Sequence, residues 1–176
     1  AAHTNGVPIV ATLGFPWGSG YGYAEQVDRF CQKAEDGSFP VADKLIEVMD
    51  YYGFDGYFFN QESYGCSQAT ADRLNEMMRY MHAKRPDMLI SWYDSMISSG
   101  GVSYQDAVNS TNKSWMEPNE DGIWGVDEFF MNYNWTASKI ATTISTLKSI
   151  GRSQFDAFAG FNVQANVYGD RLQDHL

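Results

Sequence analysis

Phe54-Asp55-Gly56-Tyr57-Phe58-Phe59-Asn60-Gln61-Glu62-Ser63 is an apolar run that turns polar at its C-terminal end. Its length and aromatic content suit a strand buried on both faces, and the chain on either side of it reads as helix. Before it, Leu45, Val48, Met49 and Tyr52 recur at i, i+3, i+4 and i+7, with Pro40 near the start and Gly53 just past the end. After it, Leu74, Met77, Met78 and Met81 form one stripe, with Thr70 as the cap and Pro86 closing the segment. A methionine stripe at helical spacing marks core. Helix, buried strand and helix in succession are the signature of a parallel sheet covered by helices.

Four more segments read as buried strands, at residues 8–15, 88–93, 126–133 and 155–163. A third helical stripe, Ile140, Ile144, Leu147 and Ile150, stops at Gly151. Strand starts thus recur roughly every 30 to 45 residues, which fits a doubly wound sheet or a (β/α)8 barrel equally well. No GxGxxG or GxxxxGK[ST] follows any strand, which removes the nucleotide-binding reason for a doubly wound fold. The expected class is therefore α/β, a (β/α)8 TIM barrel. A closed barrel has eight strands in about 250 residues, so residues 1–176 read as part of a single barrel with its opening and final strands outside the chain.

The formal charge of −10 repels phosphate backbones and anionic lipid surfaces, which excludes nucleic acid as a partner. No apolar run approaches the ~18 residues of a membrane span, so membrane insertion is not expected. Cys31 and Cys66 are too few for a disulfide framework, and His3, His82 and His175 are scattered, so neither a metal nor a cofactor is implied. Aromatic residues reach 15%, and flat rings suit both a packed core and the apolar faces of sugars.

In α/β barrels active sites sit at the C-terminal ends of the strands. Asn60 and Glu62, at i and i+2, point to one face, about 7 Å apart along a strand. A strand that merely runs out into a polar loop has the same pattern, so the pair gains meaning from the other strand ends. These carry Trp17, Tyr93 with Asp94, Asn132 with Trp135, and Gln164 with Asn166. Most glycosidases use two carboxylates, whereas the quoted strand offers one. An asparagine amide can instead hold a substrate's 2-acetamido group so that the acetamide oxygen meets the anomeric carbon. Glu62 would then protonate the departing oxygen and later deprotonate the incoming water.

With these stretches Asp36-Gly37-Ser38-Phe39-Pro40-Val41-Ala42-Asp43-Lys44-Leu45, Trp92-Tyr93-Asp94-Ser95-Met96, Asn132-Tyr133-Asn134-Trp135 and Phe158-Ala159-Gly160-Phe161-Asn162-Val163-Gln164, the chain resembles glycoside hydrolase family 85 over nearly its whole length. The resemblance implies an endo-β-N-acetylglucosaminidase that hydrolyses the bond between the two core N-acetylglucosamines of N-glycans. It implies retention through an oxazoline, and transfer to other sugars as a side activity. It places catalysis on Asn60 and Glu62, acetamide contact on Tyr93, and sugar subsites on Trp17, Tyr104 and Trp135. Asn132 and Gln164 are the further expected substrate-binding residues. Tyr104 stands where the family usually carries tryptophan, and Asn162 where aspartate is common. The expected partners are the N-glycans of glycoproteins, and the expected location is secreted or at a bacterial cell surface, with the cytosol as the alternative. An isolated segment of the barrel is expected to be inactive.

Two other readings compete. A non-catalytic N-glycan-binding barrel would keep the aromatic rim without needing Glu62. A chitinase-like enzyme would carry an aspartate two residues before the acid, where this chain has Asn60.

Overall fold

A computed structural model of the chain describes residues 1–161. Five strands, β1 (Val10–Gly14), β2 (Gly56–Asn60), β3 (Leu89–Tyr93), β4 (Glu128–Met131) and β5 (Ala157–Ala159), lie side by side in sequence order, all parallel. A doubly wound sheet reverses its order at a switch point, whereas neighbouring barrel strands follow the chain. The strand order thus decides what spacing leaves open, in favour of a barrel segment. Each strand is shorter than its apolar run. Phe155 falls in a 3-10 turn (Gln154–Asp156), and residues 162 and 163 lie outside the described residues.

Among the described residues four α-helices accompany the sheet: α1 (Tyr23–Phe30), α2 (Pro40–Tyr52), α3 (Gln68–Lys84) and α4 (Ala137–Ser149). α2 begins on Pro40 and ends on Gly53, whose φ of 72° is the left-handed conformation a helix terminus needs. Tyr52, expected on the inner stripe, is instead exposed and packs edge-on against Tyr51. The Leu74, Met77, Met78 and Met81 stripe of α3 is fully buried. Its cap is Ser67, whose hydroxyl accepts the Thr70 N–H, while the expected cap Thr70 donates its own hydroxyl to Asp28. On α4 the inner position falls to Thr143 and Ile144 is exposed. Thr143 turns inward because its hydroxyl accepts the Val108 N–H at 2.9 Å and donates to the Lys139 carbonyl.

The strands prove two-sided. Tyr57, Phe59, Ile90, Trp92, Phe129 and Met131 are 3% exposed or less and join the helix residues in one core. The alternate residues Phe58, Asn60 and Phe130 are only half-buried and line a cleft on the opposite face. The expectation of equal burial on both faces is therefore corrected, because helices cover only one side of these five strands.

No α-helix joins β3 to β4; the connection holds a single 3-10 turn, Lys113–Trp115. The irregular chain at 94–127 covers the outer face of β3 in its place. Trp92 is stacked between Phe59 and Trp115, with ring centroids 6.2 and 3.9 Å away, and the Trp115 indole donates to the Met96 carbonyl. At the opposite ends of the strands two histidine–aspartate pairs staple the sheet. Asp55 accepts the Ile9 N–H and bonds His3; Asp127 accepts the Ile90 N–H and bonds His82.

His82 faces acceptors at both ring nitrogens, the Trp124 carbonyl on Nδ1 and the Asp127 carboxylate with the Met88 carbonyl on Nε2. Burial opposes its charge, but these partners outweigh burial and raise its pKa above 6.5. A raised folded-state pKa gives stability that is complete below the unfolded value and is lost as pH rises through the folded one. Thermal melting from pH 6 to 9 should therefore show a decline in the native chain that is absent in His82→Asn. Trp115→Ala should cost about 3–5 kcal/mol by chemical unfolding, the range for deleting a buried large aromatic.

Candidate active site

The cleft lies on the inner face of the sheet toward its C-terminal edge, with a volume of about 540 Å³, within the usual size of small-molecule sites. Val10 and Thr12 of β1, Phe58 and Asn60 of β2, Ser91 and Tyr93 of β3, and Phe130 of β4 line it, with Glu62 and Tyr133 at the rim. Parallel register sets these positions level: Gly14 pairs with Asn60, Phe59 with Trp92, and Tyr93 with Phe130.

Glu62 lies past the end of β2, so its direction needs a separate cause. Gln61 supplies it. This fully buried side chain accepts the Ser63 N–H at 2.7 Å and donates to the Ser63 carbonyl at 3.1 Å. The clasp carries the strand's alternation beyond the ladder, with Gln61 outward and Glu62 inward. Gly18 N–H donates to the Glu62 carbonyl and Gly18 accepts from Tyr64 N–H, which fastens the loop after β1 to the same segment. That loop presents Trp17, 70% exposed and edge-on to Tyr64.

Tyr104 reaches over from the 94–127 segment and donates its hydroxyl to Glu62 Oε1 at 2.7 Å. Burial, then the bond to Glu62, pushes its phenol up to about 12, with the Trp17 indole beside it pulling the other way. The Tyr93 phenol is driven up further, by burial first and then by the charge of Glu62. Both phenols therefore keep their protons at neutral pH and act as donors. Tyr93 donates to Asn132 Oδ1 at 2.8 Å.

Asn60, Glu62, Tyr93 and, through Glu62, Tyr104 are thus gathered at one place, with Trp17 at its edge. Asn132 does not line the cleft; it is 8% exposed and holds Tyr93 from behind. Trp135 donates its indole N–H to the Gly160 carbonyl and leans on Phe161 at the β5 end. Gln164 and Asn162 lie outside the described residues. Ser91, Phe130 and Tyr133 were not singled out from the sequence, although two-residue alternation back from Tyr93 leads to Ser91. Among the described residues no three His, Cys, Asp or Glu side chains gather as a metal would require, and no helix is long and apolar enough to cross a membrane.

The model of glycosyl hydrolase family 85 matches residues 1–175. Over 177 residues the chain is 30% identical to the human cytosolic endo-beta-N-acetylglucosaminidase, covering 97% of this chain and 22% of that protein. The chicken protein of the same name is 30% identical over 94% of this chain and 21% of its own length. The crystal structure of the Endo-D glycoside hydrolase domain from Streptococcus pneumoniae R6 superposes with a TM-score of 0.86 at 36% identity, covering 92% of this chain and 26% of that one. The chain spans about a fifth of the length of the curated relatives it matches.

Replacing Tyr93 by phenylalanine strands the buried Asn132 oxygen without its donor. Urea unfolding of Tyr93→Phe should show a loss of about 1–3 kcal/mol, seen as a lower midpoint at an unchanged slope.

Proposed function

Because the chain belongs to glycosyl hydrolase family 85, we propose that it supplies the acid-bearing part of a barrel that hydrolyses the bond between the two core N-acetylglucosamines of N-glycans. The observation that carries this reading is the pairing of Asn60 with Glu62 in a cleft whose lining holds no second carboxylate among the described residues. Two-carboxylate glycosidases place the second group about 5–5.5 Å away as nucleophile or about 6.5–9.5 Å away as base. The other nearby acid, Asp94, is 1% exposed and turned toward N–H donors instead. The substrate's own acetamide then acts as nucleophile.

In this mechanism the Asn60 amide hydrogen-bonds the 2-acetamido group and holds its carbonyl oxygen below the anomeric carbon. Glu62 gives its proton to the oxygen of the departing sugar as the acetamide oxygen closes on that carbon, forming an oxazoline. The Glu62 carboxylate next takes a proton from water, which opens the oxazoline from the opposite face, so configuration is retained after two displacements. A sugar hydroxyl in place of that water gives transfer rather than hydrolysis. Tyr93 supports the acetamide, and Trp17 with Tyr104 offers aromatic faces to the leaving side. The proposed barrel needs strands beyond the five described. The expected secreted or bacterial-surface location draws no support from the eukaryotic relatives, whose names place them in the cytosol.

The test is mass spectrometry of a high-mannose glycoprotein treated with the full-length protein. The product should keep a single N-acetylglucosamine on asparagine, and Glu62→Gln should cut the rate by about 10²–10⁴-fold. Binding of the glycan with no release by the native protein would instead install the non-catalytic, glycan-binding reading.

A further inference from the structure

We propose that Asp94 is a positioning residue whose carboxylate holds the Tyr104–Glu62 and Tyr93–Asn132 contacts in register. The proposal rests on the function given above. Asp94 follows Tyr93 at the end of β3 and is almost fully buried. Its Oδ1 accepts from the Gln105 N–H and from the Asn112 side-chain amide, each at 3.3 Å, and its Oδ2 faces the Asn132 N–H at 3.4 Å. One carboxylate thereby joins the residue beside Tyr104 to the backbone of Asn132, whose side chain receives the Tyr93 hydroxyl. The bonds are long, and each is stronger while the carboxylate is ionised.

Among the described residues no cation pairs with Asp94. Burying a carboxylate without one is costly, and packing alone would be served by a neutral side chain. Asp106 gives an independent sign that this loop is held against its own preference. It is the sole non-glycine residue with positive φ among those described, at 54°, a conformation that persists only when the surroundings enforce it. The enforcement comes from Lys139 on its Oδ2 and the Asn134 N–H on its Oδ1. Tyr104, Gln105 and Asp106 are therefore each fastened to a different partner: Glu62, Asp94 and the start of α4.

The charged or titratable groups facing Asp94 are Asp106 from the loop, with Lys139 of α4 behind it, and Tyr93 beside it, with Glu62 on the far side of that ring. Burial first, with a smaller push from Asp106, raises the Asp94 carboxyl to about 6 against the pull of its N–H partners. Its ionised form is present above that value and is lost as pH falls through it. The loop's grip on Glu62 weakens on the same acid side.

The experiment measures kcat and KM for a high-mannose glycopeptide from pH 4.5 to 8 in the full-length protein and in Asp94→Asn. The amide keeps the volume but turns an NH2 toward an N–H donor. We expect kcat at pH 7 to fall about 10- to 100-fold, the cost of misplacing a reacting group by about 1 Å. KM should change less than threefold, and the acid limb near pH 6 should vanish in the variant. Tyrosine-ring 13C NMR, with Tyr104 assigned through Tyr104→Phe, should show a Tyr104 shift with a midpoint near 6 in the native protein. Unchanged kcat, an acid limb that survives in Asp94→Asn, or a native Tyr104 signal indifferent to pH would overturn the proposal. The NMR titration needs neither the variant's folding nor glycan release. A native protein that shows the titration but releases nothing thus sinks the functional reading and leaves the positioning role standing.

Discussion

Side chains on β2 alternate, and the site depends on that alternation being carried two residues past the last ladder pair. Tyr57 and Phe59 enter the core under the helices while Phe58 and Asn60 enter the cleft. Left to an ordinary loop, Glu62 would take whatever direction solvent allowed. The Gln61 side chain prevents this by pairing with both backbone groups of Ser63, a buried polar residue fully satisfied at short range. Gly18 and Pro16 complete the restraint from the neighbouring loop, through the Glu62 carbonyl and the Ser63 hydroxyl. The acid's geometry is thus set by groups that do not line the cleft.

A parallel pair of strands ordinarily needs a helical crossover, and a connection as long as 94–127 with no more than one 3-10 turn would count against the fold if it were loose. It is anchored at several points instead. Trp115 lies flat on Trp92, Ser95 bonds the Gln61 carbonyl, and Gly100 passes so close to Ser67 that a Cβ there would meet its carbonyl oxygen at 2.1 Å. Giving up the helix frees this segment to carry Tyr104 across to Glu62, which a helix packed behind the sheet does not do. The exchange is regular backbone bonding for reach over the cleft.

The elements legible in the sequence are those whose cause is local. Hydrophobic repeats mark the Leu74 and Met77 face of α3, and Pro40 and Gly53 bound α2 where the structure has them. α1 is not legible there because it is short and follows Gly18-Ser19-Gly20-Tyr21-Gly22, a run that reads as turn. Thr70 and Ile144 were misplaced for one reason: tertiary partners, Asp28 for the first and Val108 opposite Thr143 for the second, decided which hydroxyl caps and which side chain turns in. Asn60 and Glu62 stand out as polarity at a strand end. Trp17 stands out in the same way after the first apolar run, whereas Tyr104 is reached only through family resemblance, and its bond to Glu62 spans 42 positions. Gln61 and Asp94 look like ordinary polar loop residues until their burial is known.

The same two-sidedness separates holding the acid from drying it. The helix side of β2, β3 and β4 is sealed at Tyr57, Phe59, Ile90, Trp92, Phe129 and Met131, whereas the cleft side exposes Phe158 at 46% and Tyr133 at 39%. Proton transfer to a departing sugar oxygen gains from a site that excludes water, because preorganised donors act more strongly in a low dielectric. The described residues fix where Asn60, Glu62, Tyr93 and Tyr104 stand, and in the proposed mechanism the exclusion falls to whatever covers the open side of the cleft. The two tasks fall on different faces of one sheet. A substitution on the helix face, at Gln61 or Trp92, therefore acts on geometry, and one on the cleft face changes the lining and local polarity of the cleft.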